Sequence, residues 1–178
     1  MEVLVHPEAE SELEGLPPDE RVAVRHAFEK LEVEGDRLRF PHSSAVQGAG
    51  MKLSQLKGHK QILEKDLKNP EFRKKWEQTA LARAVALRLV SYRADNELSQ
   101  TDLADKLGMK QPAIARLERG EKNPTWETLT RLSESLDVEF IVDIAPRGKA
   151  SMTKGQERSA SQVQRVDTRD ATIVVAVS

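Results

Sequence analysis

The sequence predicts a mainly α-helical fold, with a helical hairpin at the N-terminus, a bundle of short helices in the middle and a short β element at the C-terminal end. Three observations predict it. Apolar residues recur at helical spacing through most of residues 7–136. Helix start and stop residues punctuate that stretch. Period-two alternation is confined to a few short runs, chiefly 138–145 and 171–177.

Residues 2–5, "EVLV", read as a short strand, and Pro7 opens a helix to about Gly15 with Ala9, Leu13 and Leu16 on one face. "LPPDE" breaks it. Pro18 then lies in the first turn of a second helix, with Asp19 and Glu20 suited to the positive end of the helix dipole. Val22, Val24, Ala27, Phe28 and Leu31 carry this helix to about Gly35. Residues 40–50, "FPHSSAVQGAG", are rich in turn formers and read as a linker or loop. From Met51 the texture changes. Asn69 is an N-cap, Pro70 the first helical residue, and Phe72, Trp76, Leu81, Val85, Leu89 and Tyr92 form a stripe, with a break expected near 77–79 or none before Asp95.

Ser99 reads as the next N-cap with Asp102 completing a capping box, and Gly108 as a sharp exit. Pro112 falls in the first turn of the following helix, with Ile114 and Leu117 inward and Gly120 as its C-cap. A further helix spans about Thr125 to Leu136, with Trp126, Leu129, Leu132 and Leu136 as its core stripe. Val138, Phe140, Val142 and Ile144 alternate as a strand. The Gly/Ser/Lys-rich tail from Pro146 reads as a flexible linker, and 171–177 as a strand that must find a partner: 138–145, the same segment of a second copy, or another protein.

Bulk properties exclude more than they assign. The chain has 178 residues, 38% hydrophobic and 32% charged, with a net charge of -1. Residues 1–50 carry 5 Lys+Arg against 11 Asp+Glu, residues 51–146 carry 17 against 15, and residues 147–178 carry 6 against 3. The first fifty are electrostatically unlike the rest. The absence of cysteine excludes disulfides and thiolate chemistry, and the four histidines, His6, His26, His42 and His59, share no helical turn, so no metal site or cofactor is expected. No apolar run reaches membrane-spanning length and the acidic N-terminus lacks a signal peptide's basic start; a soluble, cytoplasmic protein is expected.

Ala104, Gly108 and Ile114 carry a specific meaning. The alanine lets two helices approach, the glycine allows a left-handed turn, and the isoleucine pins the second helix to the first. In a DNA-binding helix-turn-helix the second helix enters the major groove by its N-terminal end. Lys110 and Gln111, which begin it, are not core residues; glutamine reads adenine, and lysine or arginine reads guanine. The run from Leu98 to Leu136, "LSQTDLADKLGMKQPAIARLERGEKNPTWETLTRLSESL", resembles the five-helix XRE (λ/434 repressor-like) family throughout. The resemblance places base reading on Lys110, Gln111, Pro112 and Arg116, with Pro112 departing from the usual polar residue. It places phosphate contact on Gln100, which also supports Gln111, and on Arg119, Lys122 and Asn123 of the following loop. Acidic Glu118 and Glu121 nearby are expected to lower non-specific affinity.

Residues 51–146 resemble, more narrowly, a HigA-type antitoxin. That implies a dimeric repressor of its own operon that also binds a RelE/HigB-like toxin. The stretch "VHPEAESELEGLPPDERVAVRHAFEKLE" and "FPHSSAV" are similar to the start of a RelE/HigB-like toxin whose sheet half is missing. The domains expected are thus a truncated toxin-like helical hairpin (1–50), a helical toxin-contact or linker segment (51–78), the XRE helix-turn-helix domain (79–146), and a flexible linker with a C-terminal strand (147–178). Double-stranded operator DNA is the expected partner and enzymatic activity is not expected. A toxin-binding protein with weak or no DNA binding, and a residual RelE-like ribonuclease, stand as the competing readings.

Overall fold

The computed structural model describes residues 3–34, 57–146, 162–167 and 171–177. It divides into two compact units, Met1–Trp76 and Glu77–Ser178.

In the first unit a two-residue strand β1 (Leu4–Val5) pairs antiparallel with β2 (Lys57–Gly58). Helices α1 (Pro7–Glu14) and α2 (Pro18–Glu34) follow β1, and α3 (His59–Asp66) and α4 (Pro70–Gln78) follow β2. His6 Nδ1 caps α1 by accepting from the Glu8 amide at 3.1 Å. Asn69 Oδ1 caps α4, accepting from the amides of Glu71 at 2.9 Å and Phe72 at 3.1 Å. Val5, Leu13 and Ile62 form one small core with Phe28 packed on it, and Val22, Phe72 and Trp76 another. The pairing of Leu4 with Gly58 joins segments that the sequence separates at residue 50. Residues 57–76 therefore fold with the N-terminal helices rather than as a segment of their own.

Between the two small cores, charge is buried. Arg21 and Arg25, one turn apart on α2, both meet Asp66 of α3, at 3.3 Å from Nη1 and 2.6 Å from Nε. Arg25 is fully buried and its Nη1 and Nη2 have no hydrogen-bond partner. His59 is also buried, edge-on to Phe28 at 5.5 Å and 3.7 Å from the Glu32 carboxylate. Its burial holds the imidazole below its usual pKa range, against the opposing pull of Glu32 and Glu29.

In the second unit the helices are α5 (Ala80–Asp95), α6 (Gln100–Lys106), α7 (Gln111–Arg119) and α8 (Trp126–Leu136). The apolar stripe running on from α4 breaks at Thr79, so Phe72 and Trp76 serve a different core from Val85 and Leu89. Val85, Leu89, Leu103, Ile114 and Leu132 are completely buried, each contributing about 1.5–3 kcal/mol by apolar transfer. Residues 80–136 thus hold four helices. Strand β3 (Phe140–Pro146) follows them, where the period-two alternation of 138–144 predicts a strand.

β5 (Ala171–Val177) lies between β3 and β4 (Gln162–Asp167), antiparallel to both, with Ile144 and Val166 opposite Ile173. Of the partners open to 171–177, the structure holds 138–145; β4 is a strand that sequence reading did not separate from its neighbours. α5 packs against α7 and against β4 and β5, which explains why it is apolar nearly all round.

Trp126 corrects an expectation. It is 75% exposed, because Thr125 is the N-cap and the first helical residue points away from the face that Leu129, Leu132 and Leu136 bury. The linkers at 40–50 and 147–161 and the start at Met51 lie outside the described residues. Among the described residues no helix is long and apolar enough to cross a membrane.

Candidate DNA interface

Two short helices, α6 and α7, are set by local chemistry. Ser99 Oγ accepts from the Asp102 amide at 3.1 Å, and Asp102 Oδ2 accepts from the Ser99 amide at 2.8 Å. This reciprocal cap fixes where α6 begins, and Ser99's side-chain bond holds the Asp102 carboxyl below its usual range. Gly108 follows α6 at φ +59°, and a Cβ there would touch nothing within 4 Å. Its glycine is therefore required by backbone conformation, not by space. The Met109 amide then donates to Ala104 O at 2.9 Å and closes the turn. Gly120 ends α7 in the same left-handed region, at φ +64°.

Gln111 is held by a chain of side chains reaching back into the unit. Its Nε2 donates to Gln100 Oε1 at 2.7 Å. Gln100 Nε2 donates to Glu118 Oε2 at 2.8 Å. Glu118 in turn accepts from Arg93 Nε at 2.5 Å and Nη2 at 2.9 Å, and Arg93 Nη1 donates to Leu98 O at 3.0 Å. The polarity of this relay is forced. A guanidinium only donates and a carboxylate only accepts. Gln100 must turn its NH2 to Glu118 and its carbonyl to Gln111, and Gln111 must answer with its own NH2. What remains on Gln111 is one acceptor and one N–H.

The eight predicted site residues divide by this geometry. Lys110, Pro112 and Arg116 are exposed along the outer edge of α7, with Pro112 and Arg116 one turn apart. Gln100 supports Gln111, as expected, with both ends of its amide engaged inside the protein. Lys122 is exposed. Arg119 is exposed but paired with Glu121, Nε to Oε1 at 3.0 Å. Asn123, exposed in the loop after α7, has a structural task of its own. Its Oδ1 accepts from the Ala82 amide at 3.0 Å and its Nδ2 donates to Gln78 O at 2.9 Å, so it ties the loop after α7 to the start of α5. Glu118 departs from expectation: it is buried on Arg93 and presents no free charge to a polyanion.

Arg93 and the true role of Glu118 escaped the sequence reading. The available signal was spacing: Glu118 follows Ile114 by four residues, which puts an acid on the apolar face of α7. Also unforeseen is a groove of about 500 Å³ beside α7, lined by Met109, Ala113, Arg116, Leu117, Lys122 and Pro124.

Comparison with known proteins agrees with this geometry. A family described as Helix-turn-helix matches residues 89–141, from the last turns of α5 to β3. The antitoxin HigA1 of Mycobacterium tuberculosis is 30% identical over 76 residues, 43% of this chain and 51% of that protein. The chain thus spans about half the length of that relative. The antitoxin HipB of Escherichia coli K12 is 31% identical over 85 residues, 48% of this chain and 92% of that protein. YqaE, an HTH-type transcriptional regulator of Bacillus subtilis, is 41% identical over 46 residues, 26% of this chain and 40% of that protein. No solved structure matches the chain. With nearly the whole of HipB aligned, and with Gly108, the capping box and the α6–α7 pair in place, the chain belongs to the helix-turn-helix family that includes these antitoxins and regulators.

Proposed function

We propose that the chain is a sequence-specific DNA-binding repressor of the antitoxin type, acting as a homodimer on the operator of its own operon and binding a RelE/HigB-like toxin. The observation that carries the DNA reading is the relay Arg93–Glu118–Gln100–Gln111. A buried ion pair is poor evidence for stability by itself. Here it orients a polar residue that has no structural task at the exposed end of a helix. With one acceptor and one N–H left, Gln111 matches the N6 donor and N7 acceptor of adenine. Guanine offers only acceptors at the same edge and would waste the carbonyl. Lys110 and Arg116 supply cationic readers or phosphate contacts on either side, and Lys122 extends the basic edge. A two-fold dimer would set half-sites about 34 Å apart. The toxin partner is supported by the antitoxin relatives alone.

The test is a gel shift of the full chain on its own upstream DNA across a salt series, beside Gln111→Ala. Specific binding is expected, with the variant losing about 1–3 kcal/mol of discrimination at one adenine per half-site. Equal operator selectivity in the two proteins would overturn the groove assignment. Absence of specific binding by both would move the weight to toxin neutralisation, read by co-purification with a small basic toxin.

A further inference from the structure

Pro112 is the one base-facing position on α7 that has nothing to hydrogen-bond with. It is exposed, one turn before Arg116 on the same edge and next in sequence to Gln111. Proline carries neither a side-chain polar atom nor a backbone N–H. The fold permits it there without demanding it, since the second position of a helix has no intrahelical partner for its N–H. Ala113 and Leu117 line the groove beside α7, and Gln111 is turned toward Gln100.

The one methyl group that the bases present in the major groove is the C5-methyl of thymine, and the other groups read there are donors and acceptors. A carbon-only surface pressed against any other base edge would strip water from a polar group and offer nothing in return. We infer that Pro112 is a specificity-determining residue that packs on the C5-methyl of a thymine, in the base pair beside the adenine read by Gln111. This rests on the reading of α7 as the major-groove helix. It adds a distinct claim: recognition by α7 is polar at Gln111, apolar at Pro112 and cationic at Arg116.

The experiment uses the full chain and a pool of randomised duplexes, from which bound sequences are selected. The consensus duplex is then synthesised with each thymine replaced in turn by deoxyuridine. That change removes the methyl and leaves every hydrogen-bonding group in place. At one thymine per half-site deoxyuridine is expected to weaken binding about fourfold, the transfer free energy of one buried methyl. In Pro112→Ala the ratio between the two duplexes should fall toward one. A merely structural role for the proline would lower affinity for both duplexes equally and leave the ratio unchanged. Indifference to deoxyuridine at every position, or an effect of the same size in Pro112→Ala, would overturn the inference while leaving DNA binding intact. Failure to enrich any duplex would remove the DNA-binding reading and this inference with it.

Discussion

In the unit Met1–Trp76 the deepest side chains include Arg25, His59 and Asp66, beside Ile62 and Phe72; in Glu77–Ser178 they are chiefly Val85, Leu89, Leu103, Ile114 and Leu132, with Arg83 the charged exception. The first unit sets two short hydrophobic clusters around a buried charge cluster, and the second builds one larger cluster. Transfer of apolar surface is insensitive to pH and salt, whereas buried ions depend on which groups are ionised. The difference teaches that the two units place their ionised groups differently: the first holds them between its hydrophobic clusters, whereas the second sets Arg83 and the Arg93–Glu118 pair beside one larger apolar cluster.

The sharpest way to break that contrast is Asp66→Ala. It leaves two buried guanidiniums without their carboxylate, and should destabilise the first unit by about 3–5 kcal/mol. Chemical denaturation followed by Trp76, in a Trp126→Phe background, reads that unit. Operator binding should persist; its loss along with the first unit would show that the two are not independent. Leu132→Ala, in the apolar core, should cost about 2–5 kcal/mol and abolish operator binding at elevated temperature, with little dependence on ionic strength.

Acidification should separate the units without any mutation. His59 has a folded pKa below its unfolded value of 6.5, so the folded unit binds fewer protons. Its contribution is fully present above that value and is lost as pH falls through the folded pKa. Glu10, held below 4.5 chiefly by its hydrogen bond from Lys57 at 3.0 Å, is lost in the same direction at still lower pH. Thermal melts between pH 8 and 5 should lower the Trp76 transition first; a transition that rises on acidification would contradict the assignment. The smallest effect belongs to Trp126→Ala, expected within about 0.5 kcal/mol by calorimetry because the ring is 75% exposed.

What could be read in the sequence was what short-range chemistry decides. Asn69 before Pro70, Ser99 with Asp102, and Gly108 and Gly120 each announced a helix boundary that the structure keeps. The slots of the helix-turn-helix came from the resemblance of residues 98–136 to the XRE family. What stayed hidden depended on partners far along the chain. Nothing near Leu4 announces Gly58, and nothing near Arg25 announces Asp66. Arg93 and Glu118 look like two solvated charges until α5 and α7 meet. Trp126 satisfied helical periodicity yet fell just past the edge of the buried stripe, which periodicity alone cannot resolve at a helix's first residue.

Asn123 gives the start of α5 an unusual dependence. Thr79 stands at the N-cap position but makes no cap bond with its side chain, and the amide of Ala82 is met instead by a side chain 41 residues later. Asn123 Nδ2 in turn donates to the carbonyl of Gln78 across the break. A cap is ordinarily available as soon as a helix forms; this one arrives only when the loop after α7 has closed. The capping of the first turn of α5 thus depends on closure of the loop after α7 and not on local preference alone. Hydrogen exchange at the Ala82 amide becomes a gauge of whether that loop is closed.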